Sequence, residues 1–137
     1  MIYTSYFENL KNLPDTIVPI AICEDPPQSY QGLVFKKLAP QARTVHNWRA
    51  MRGCGNEDAD NYYTIHFYMD VLAPLNPYEV VSELGKMAHG KDIVLICDEK
   101  PDVFCHRTLV MNWLHAYGFF CEEFDKENIY GFMKKNI

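Results

Sequence analysis

At 137 residues, with 48% hydrophobic and 23% charged positions, the chain has the size and composition of one ordinary globular domain and none of the bias of a fibre or a disordered segment. A net charge of -5 argues against an electrostatic grip on nucleic acid over the whole surface, so any polyanion would have to be met by a local basic cleft. The longest apolar runs, such as Ile17 to Cys23 and Ile93 to Cys97, fall well short of the about 20 residues of a membrane-spanning helix, and the first residues lack the basic region and cleavage site of a signal peptide. No membrane partner and a cytoplasmic address are therefore expected.

Met1 to Tyr6 and Ile17 to Cys23 are apolar without alternation, which suits strands covered on both faces. Between them Phe7, Leu10 and Leu13 keep a helix-compatible spacing that Pro14 ends. Glu24-Asp25-Pro26-Pro27 cannot continue a central strand, because two prolines lack the N–H that pairing needs, and a long loop is predicted from there to about Pro40. Ala42 to Met51 reads as a helix closed by Gly53-Cys54-Gly55.

Asp58 to Leu72 has the aromatic density of a strand, but Tyr62, Ile65, Met69 and Leu72 keep helical spacing, and the segment is read as a helix. Pro77 to Met87 is a clearer helix, capped by Asn76, with Val80, Val81, Leu84 and Met87 as its buried stripe. Asp92 to Cys97 then reads as a third strand, Asp102 to Tyr117 as a helix ended by Gly118, and Phe119 to Phe124 as a fourth strand. Alternating strands and helices imply a single α/β domain over residues 1–137: a mainly parallel sheet with helices on both faces, a Rossmann-like three-layer arrangement in which Val18 to Ile22 and Ile93 to Ile96 run parallel and close together.

Ligands of open parallel sheets bind in the crevice beyond the carboxyl ends of the strands. Here one strand stops at Cys97, and the next helix opens at Cys105-His106-Arg107. A helix N-terminus offers unpaired N–H groups and partial positive charge, so this spot suits an anion; Arg107 could add two parallel hydrogen bonds, and a cysteine in such a field ionises more easily. The five cysteines are an odd number, three of them in or beside strand-like runs, which predicts reduced thiols. Cys97 and Cys105 form the one pair for which a transient bond is conceivable.

The stretch from Cys97 through Glu99 to Cys105-His106-Arg107 resembles the signature of the bacterial and phage family called domain of unknown function 488: an apolar strand ending in Cys, an acidic residue two positions on, and Cys-His-Arg opening the next helix. The likeness extends through Ile2-Tyr3-Thr4-Ser5-Tyr6, Val18-Pro19-Ile20-Ala21-Ile22, Pro26-Pro27 and Lys37-Leu38-Ala39-Pro40, nearly the whole chain. The chain departs from the family at Cys23-Glu24-Asp25, where members often carry a basic residue. The resemblance implies a fold and a site, and carries no agreed reaction.

Two functional readings stay open. In the first the chain is an enzyme, or an enzyme-like protein, binding a phosphorylated or nucleotide-like anion at the Cys97 to Arg107 loop. Cys105 is then the candidate nucleophile, His106 positions or transfers a proton, Arg107 grips the anion beside Cys97, and Glu99 orients Arg107 or water. Hydroxyls of Thr4, Ser5 and Tyr6 would supplement the pocket, or else cap the following helix. In the second reading the same pocket, with the basic region Lys36, Lys37, Arg43, Arg49 and Arg52 around Trp48 and Tyr30, serves a non-catalytic module that engages nucleic acid or a partner protein. Blander uses compete with both: Cys97 as a small buried hydrophobe, and Arg107 as a brace on Glu99 or Asp102. Cys97, Cys105 and His106 are also the right residue types for zinc, but they lack paired CxxC-like spacing and a fourth ligand, so neither metal nor cofactor is assigned. The oligomeric state stays open.

Overall fold

The computed structural model describes residues 1–52, 56–98 and 104–124. Its five strands, β1 (Ile2–Tyr6), β2 (Ile17–Ala21), β3 (Leu33–Val34), β4 (Asp92–Cys97) and β5 (Cys121–Glu123), form one sheet in the order β3-β2-β4-β1-β5, every pair parallel. The strands of the Val18 and Ile93 runs, expected to lie parallel and close together, are direct neighbours, with Val18 level with Ile93 and Ala21 level with Ile96.

Alternation along β4 separates two cores. Ile93, Leu95 and Cys97 turn to the face covered by α1 (Ala42–Met51), α2 (Asn56–Phe67), α3 (Pro77–Met87) and α4 (His106–Ala116). Val94 and Ile96 turn the other way, onto Tyr3, Ile17 and Phe124 and the 3-10 helix Phe7–Asn12 with its neighbour Leu13. Helical layers thus cover both faces of a parallel sheet in a three-layer α/β fold. Among the described residues no helix is long and apolar enough to cross a membrane.

Several boundaries differ from the sequence reading for local reasons. The predicted loop before Pro40 contains β3 and a 3-10 turn, Lys36–Leu38. Pro19 in β2, which has no N–H to offer, lies ahead of the two-residue pairing of Ile20 and Ala21 with β3. Asp58 to Leu72 is helical as expected, but α2 gives way to a π-helical turn over Tyr68–Leu72. The last strand shrinks to Cys121–Glu123: after the turn at Gly118, whose φ is +84°, Phe119 still donates its N–H to the Leu114 carbonyl, and pairing with β1 begins at Cys121.

Asn76 caps α3 as read: its side chain accepts from the backbone N–H groups of Tyr78 and Glu79, and Pro77 fills the first helical position. Asn76→Ala is therefore expected to destabilise the protein by about 1 kcal/mol and lower Tm by about 3 °C in a thermal melt. An unchanged Tm would mean that neighbouring packing, and not this cap, fixes the start of α3.

Candidate functional site

The site is assembled where three strands end. Parallel register sets Tyr6 of β1 level with Cys97 of β4, and Ile22, one residue past β2, donates its N–H to the Ile96 carbonyl at 2.9 Å. The chain returns to this edge at Cys105, which is the N-cap of α4 and so sits one residue ahead of the helical turn it was expected to join. The sulfurs of Cys97 and Cys105 are bonded to one another, with their Cα atoms 7.5 Å apart. This corrects the expectation of uniformly reduced thiols: strand end and helix start are close enough to bring the two side chains together. Cys23 and Cys121 are free and buried. Burial, reinforced by nearby carboxylates, pushes their thiols up to about 11 and about 12 respectively, so both are protonated at neutral pH.

His106 is buried, and its Nε2 stands 2.7 Å from the carbonyl oxygen of Ile22. A carbonyl can only accept, so Nε2 carries the proton. Burial pushes the imidazole down to about 4; the Arg107 charge lowers it further, while the Ile22 hydrogen bond opposes the shift. The ring is neutral at pH 7, and the lone pair on Nδ1 lies 3.7 Å from the Cys105 sulfur.

Arg107 points elsewhere. Its guanidinium is enclosed, with Nε donating to both Glu123 oxygens at 3.1 Å, Nη1 donating to the Cys97 sulfur at 3.1 Å, and the Tyr6 ring centroid 5.8 Å away. Thr4 donates its hydroxyl to the same Glu123 carboxylate at 2.7 Å. The Ser5 hydroxyl accepts from the Asn9 side chain at 2.9 Å, within the first turns after β1. Thr4, Tyr6 and Arg107 thus gather around Glu123 and the back of Cys97. Glu99, the expected orienting acid, lies outside the described residues.

A pocket of about 360 Å³ opens on the other side of the cluster, a size suited to a small molecule. Cys97, Cys105 and His106 lie in its floor, and Arg107, Thr4, Ser5 and Tyr6 are not among the described residues that line it. Trp48, Tyr63 and Phe104 form an aromatic wall, with ring centroids 5.2 to 5.9 Å apart. Glu24, Asp25 and Asp98 bring carboxylates, and His46 and Arg49 bring nitrogen groups. Burial raises the Asp98 carboxyl, and the Arg49 charge works against that. These walls were not assigned to the site from sequence, although Trp48 and Arg49 stood out in the basic middle region. Glu24 and Asp25 registered as a turn and as a departure from the family's usual basic residue, and His46 and Tyr63 carried no motif.

Of metal-ligating groups among the described residues, Cys97, Cys105 and His106 cluster tightly, their ligand atoms all within 4.8 Å of one another. In comparisons with known proteins, residues 4–118 match the family model described as the active DUF488-N3 subclade, DUF488-N3a. No curated protein and no solved structure matches the chain.

Proposed function

The chain belongs to the DUF488 family, and on that premise we propose that it is an enzyme holding a nucleotide-like ligand in the pocket between α1 and the carboxyl ends of β2 and β4. Its reacting floor is the pair of sulfurs on Cys97 and Cys105 with Nδ1 of His106. The observation that carries this reading is the juxtaposition of sulfur chemistry and a neutral imidazole of fixed tautomer in the floor of a ligand-sized pocket.

The walls favour a nucleotide because each part of it has a counterpart. A base can lie on the Trp48, Tyr63 and Phe104 rings, sugar hydroxyls can donate to Glu24, Asp25 or Asp98, and a phosphate has Arg49 and the N-terminus of α4. The role first expected for Arg107, gripping the ligand, passes to Arg49, because Arg107 is occupied by Glu123 and the Cys97 sulfur. Three carboxylates in the walls weigh against the rival reading, a basic platform for nucleic acid.

Calorimetric titration of reduced protein with nucleosides and nucleotides tests this. At least one nucleotide is expected to bind, with Arg49→Ala weakening it by about ten- to a hundredfold while sparing the matching nucleoside, the usual worth of a charge-assisted hydrogen bond. Cys105→Ser is expected to bind the ligand and fail to convert it. A panel in which nothing binds, or binding indifferent to Arg49→Ala and Asp98→Asn, would sink the reading.

A further inference from the structure

We infer that Cys97, Cys105 and His106, when the cysteines are reduced, form a binding site for a zinc-class divalent ion with one coordination position open to the pocket. The inference goes beyond the proposed ligand and does not depend on which molecule fills the pocket. Spacing along the chain spoke against metal because there are no CxxC-like pairs and only three ligands. The fold answers both points: three ligands with a vacant fourth position are the usual make-up of a catalytic zinc site, and the end of β4 and the start of α4 bring these three together without paired spacing.

Distances support the site. Zinc–sulfur bonds of about 2.3 Å and zinc–nitrogen bonds of about 2.0 Å at a tetrahedral angle put sulfur and nitrogen about 3.5 Å apart, and the Cys105 sulfur lies 3.7 Å from Nδ1 of His106. The Cα atoms of Cys97 and Cys105 stand 7.5 Å apart, wider than the roughly 4.4 to 6.8 Å usual for a disulfide, which leaves room for the sulfurs to part around an ion.

The surroundings are those of a ligand set. Metal-binding histidines characteristically donate their second ring N–H to a carbonyl or carboxylate, which fixes the tautomer and aims the other nitrogen at the ion. His106 does this through Nε2 to Ile22, leaving Nδ1 directed at the sulfurs. Arg107 donates to the Cys97 sulfur, an outer hydrogen bond that suits a thiolate. Two thiolates would be costly to bury, and a divalent cation neutralises both.

In the structure the sulfurs are bonded, so loading begins with reduction. A dithiol reductant gives up two electrons and becomes a disulfide, the Cys97–Cys105 bond breaks to two thiols, and the incoming ion displaces their two protons to solvent. The bonded and metal-loaded states exclude each other, because both use the same sulfur electron pairs.

Cobalt(II) titration followed by absorption spectroscopy tests the site. Reduced protein is expected to bind one ion per chain with the thiolate-to-cobalt charge-transfer band and tetrahedral d–d bands, zinc displacing it and azide shifting the d–d bands through the open position. Protein oxidised with diamide should show none of this, a comparison that requires no substitution and so cannot fail through misfolding. Cys97→Ser, Cys105→Ser and His106→Gln should each weaken binding by more than about a hundredfold, beyond the loss typical of an outer-shell partner. Absence of the thiolate band in reduced protein, or equal binding by oxidised protein, overturns the site. Azide-insensitive bands overturn the open position. Loss of nucleotide binding with cobalt binding intact would refute the proposed ligand and leave the metal site standing.

Discussion

Arg107→Ala is expected to cost the protein about 3 kcal/mol in urea denaturation, at the lower end of the range for removing one partner of a buried ion pair. The side chain is only 2% exposed, and its guanidinium bridges the Glu123 carboxylate on β5 and the Cys97 sulfur on β4. Truncation opens a cavity against Tyr6 and leaves Glu123 with the Thr4 hydroxyl but without its cation. Glu123 is 33% exposed and can recruit water, which places the loss near 3 kcal/mol instead of above it. The double substitution with Glu123→Gln should cost less than the sum of the two singles, because both remove one interaction. Read from sequence, Arg107→Ala should have weakened a ligand while barely altering the fold; its burial moves the expected effect to stability. A loss below about 1 kcal/mol would show that the guanidinium is not the brace its contacts describe.

The same residue shows what spacing can and cannot reveal. Cys97, Cys105, His106 and Arg107 lie within eleven positions, so a strand, a loop and a helix start were enough to predict that they meet. The partners considered for Arg107, Glu99 and Asp102, are local and lie outside the described residues; Glu123 on β5, which also meets the guanidinium, is brought there by pairing with β1 and had no signal along the chain. The pocket walls were hidden for the same reason. Trp48 and Arg49 belong to α1, Tyr63 to α2 and Glu24 to the turn after β2, and only tertiary packing joins them.

Within elements, the sequence was clearest where burial is continuous. Ile93 to Cys97 and Ile17 to Ala21 are core strands, and their unbroken apolar runs said so. Leu33–Val34 is too short to show any period; it is a strand because Ile20 and Ala21 pair with it. In the helix after Asn56 the type was readable and the buried face was not. Ile65 and Met69, which gave the segment its helical spacing, are 57% and 60% exposed, while Ala59, Tyr63, Phe67 and Val71 face inward. Aromatic residues at adjacent positions blur which stripe is buried, and contact with Phe104 and His106 settles it for Tyr63 and Phe67.

Stability should also fall steeply with acid, through His106. Folding pushes the imidazole down from an ordinary value of 6.5 to about 4. Between those limits the unfolded chain binds a proton that the folded chain excludes, so stability rises with pH through the window: it is complete above about pH 6.5 and lost as pH falls toward 4. The whole window is worth about 3 kcal/mol, on the order of 1.4 kcal/mol for each unit of displacement. Glutamine at 106 has no proton to gain here. Urea denaturation at pH 7 and 4.5, with a chelator present so that no ion competes for Nδ1, is therefore expected to show wild type losing about 2 kcal/mol more than His106→Gln. Carboxylates titrate in both proteins and cancel in the difference. Equal losses would mean that His106 already carries its proton in the folded chain, contradicting both its burial and the neutral imidazole on which the proposed chemistry relies.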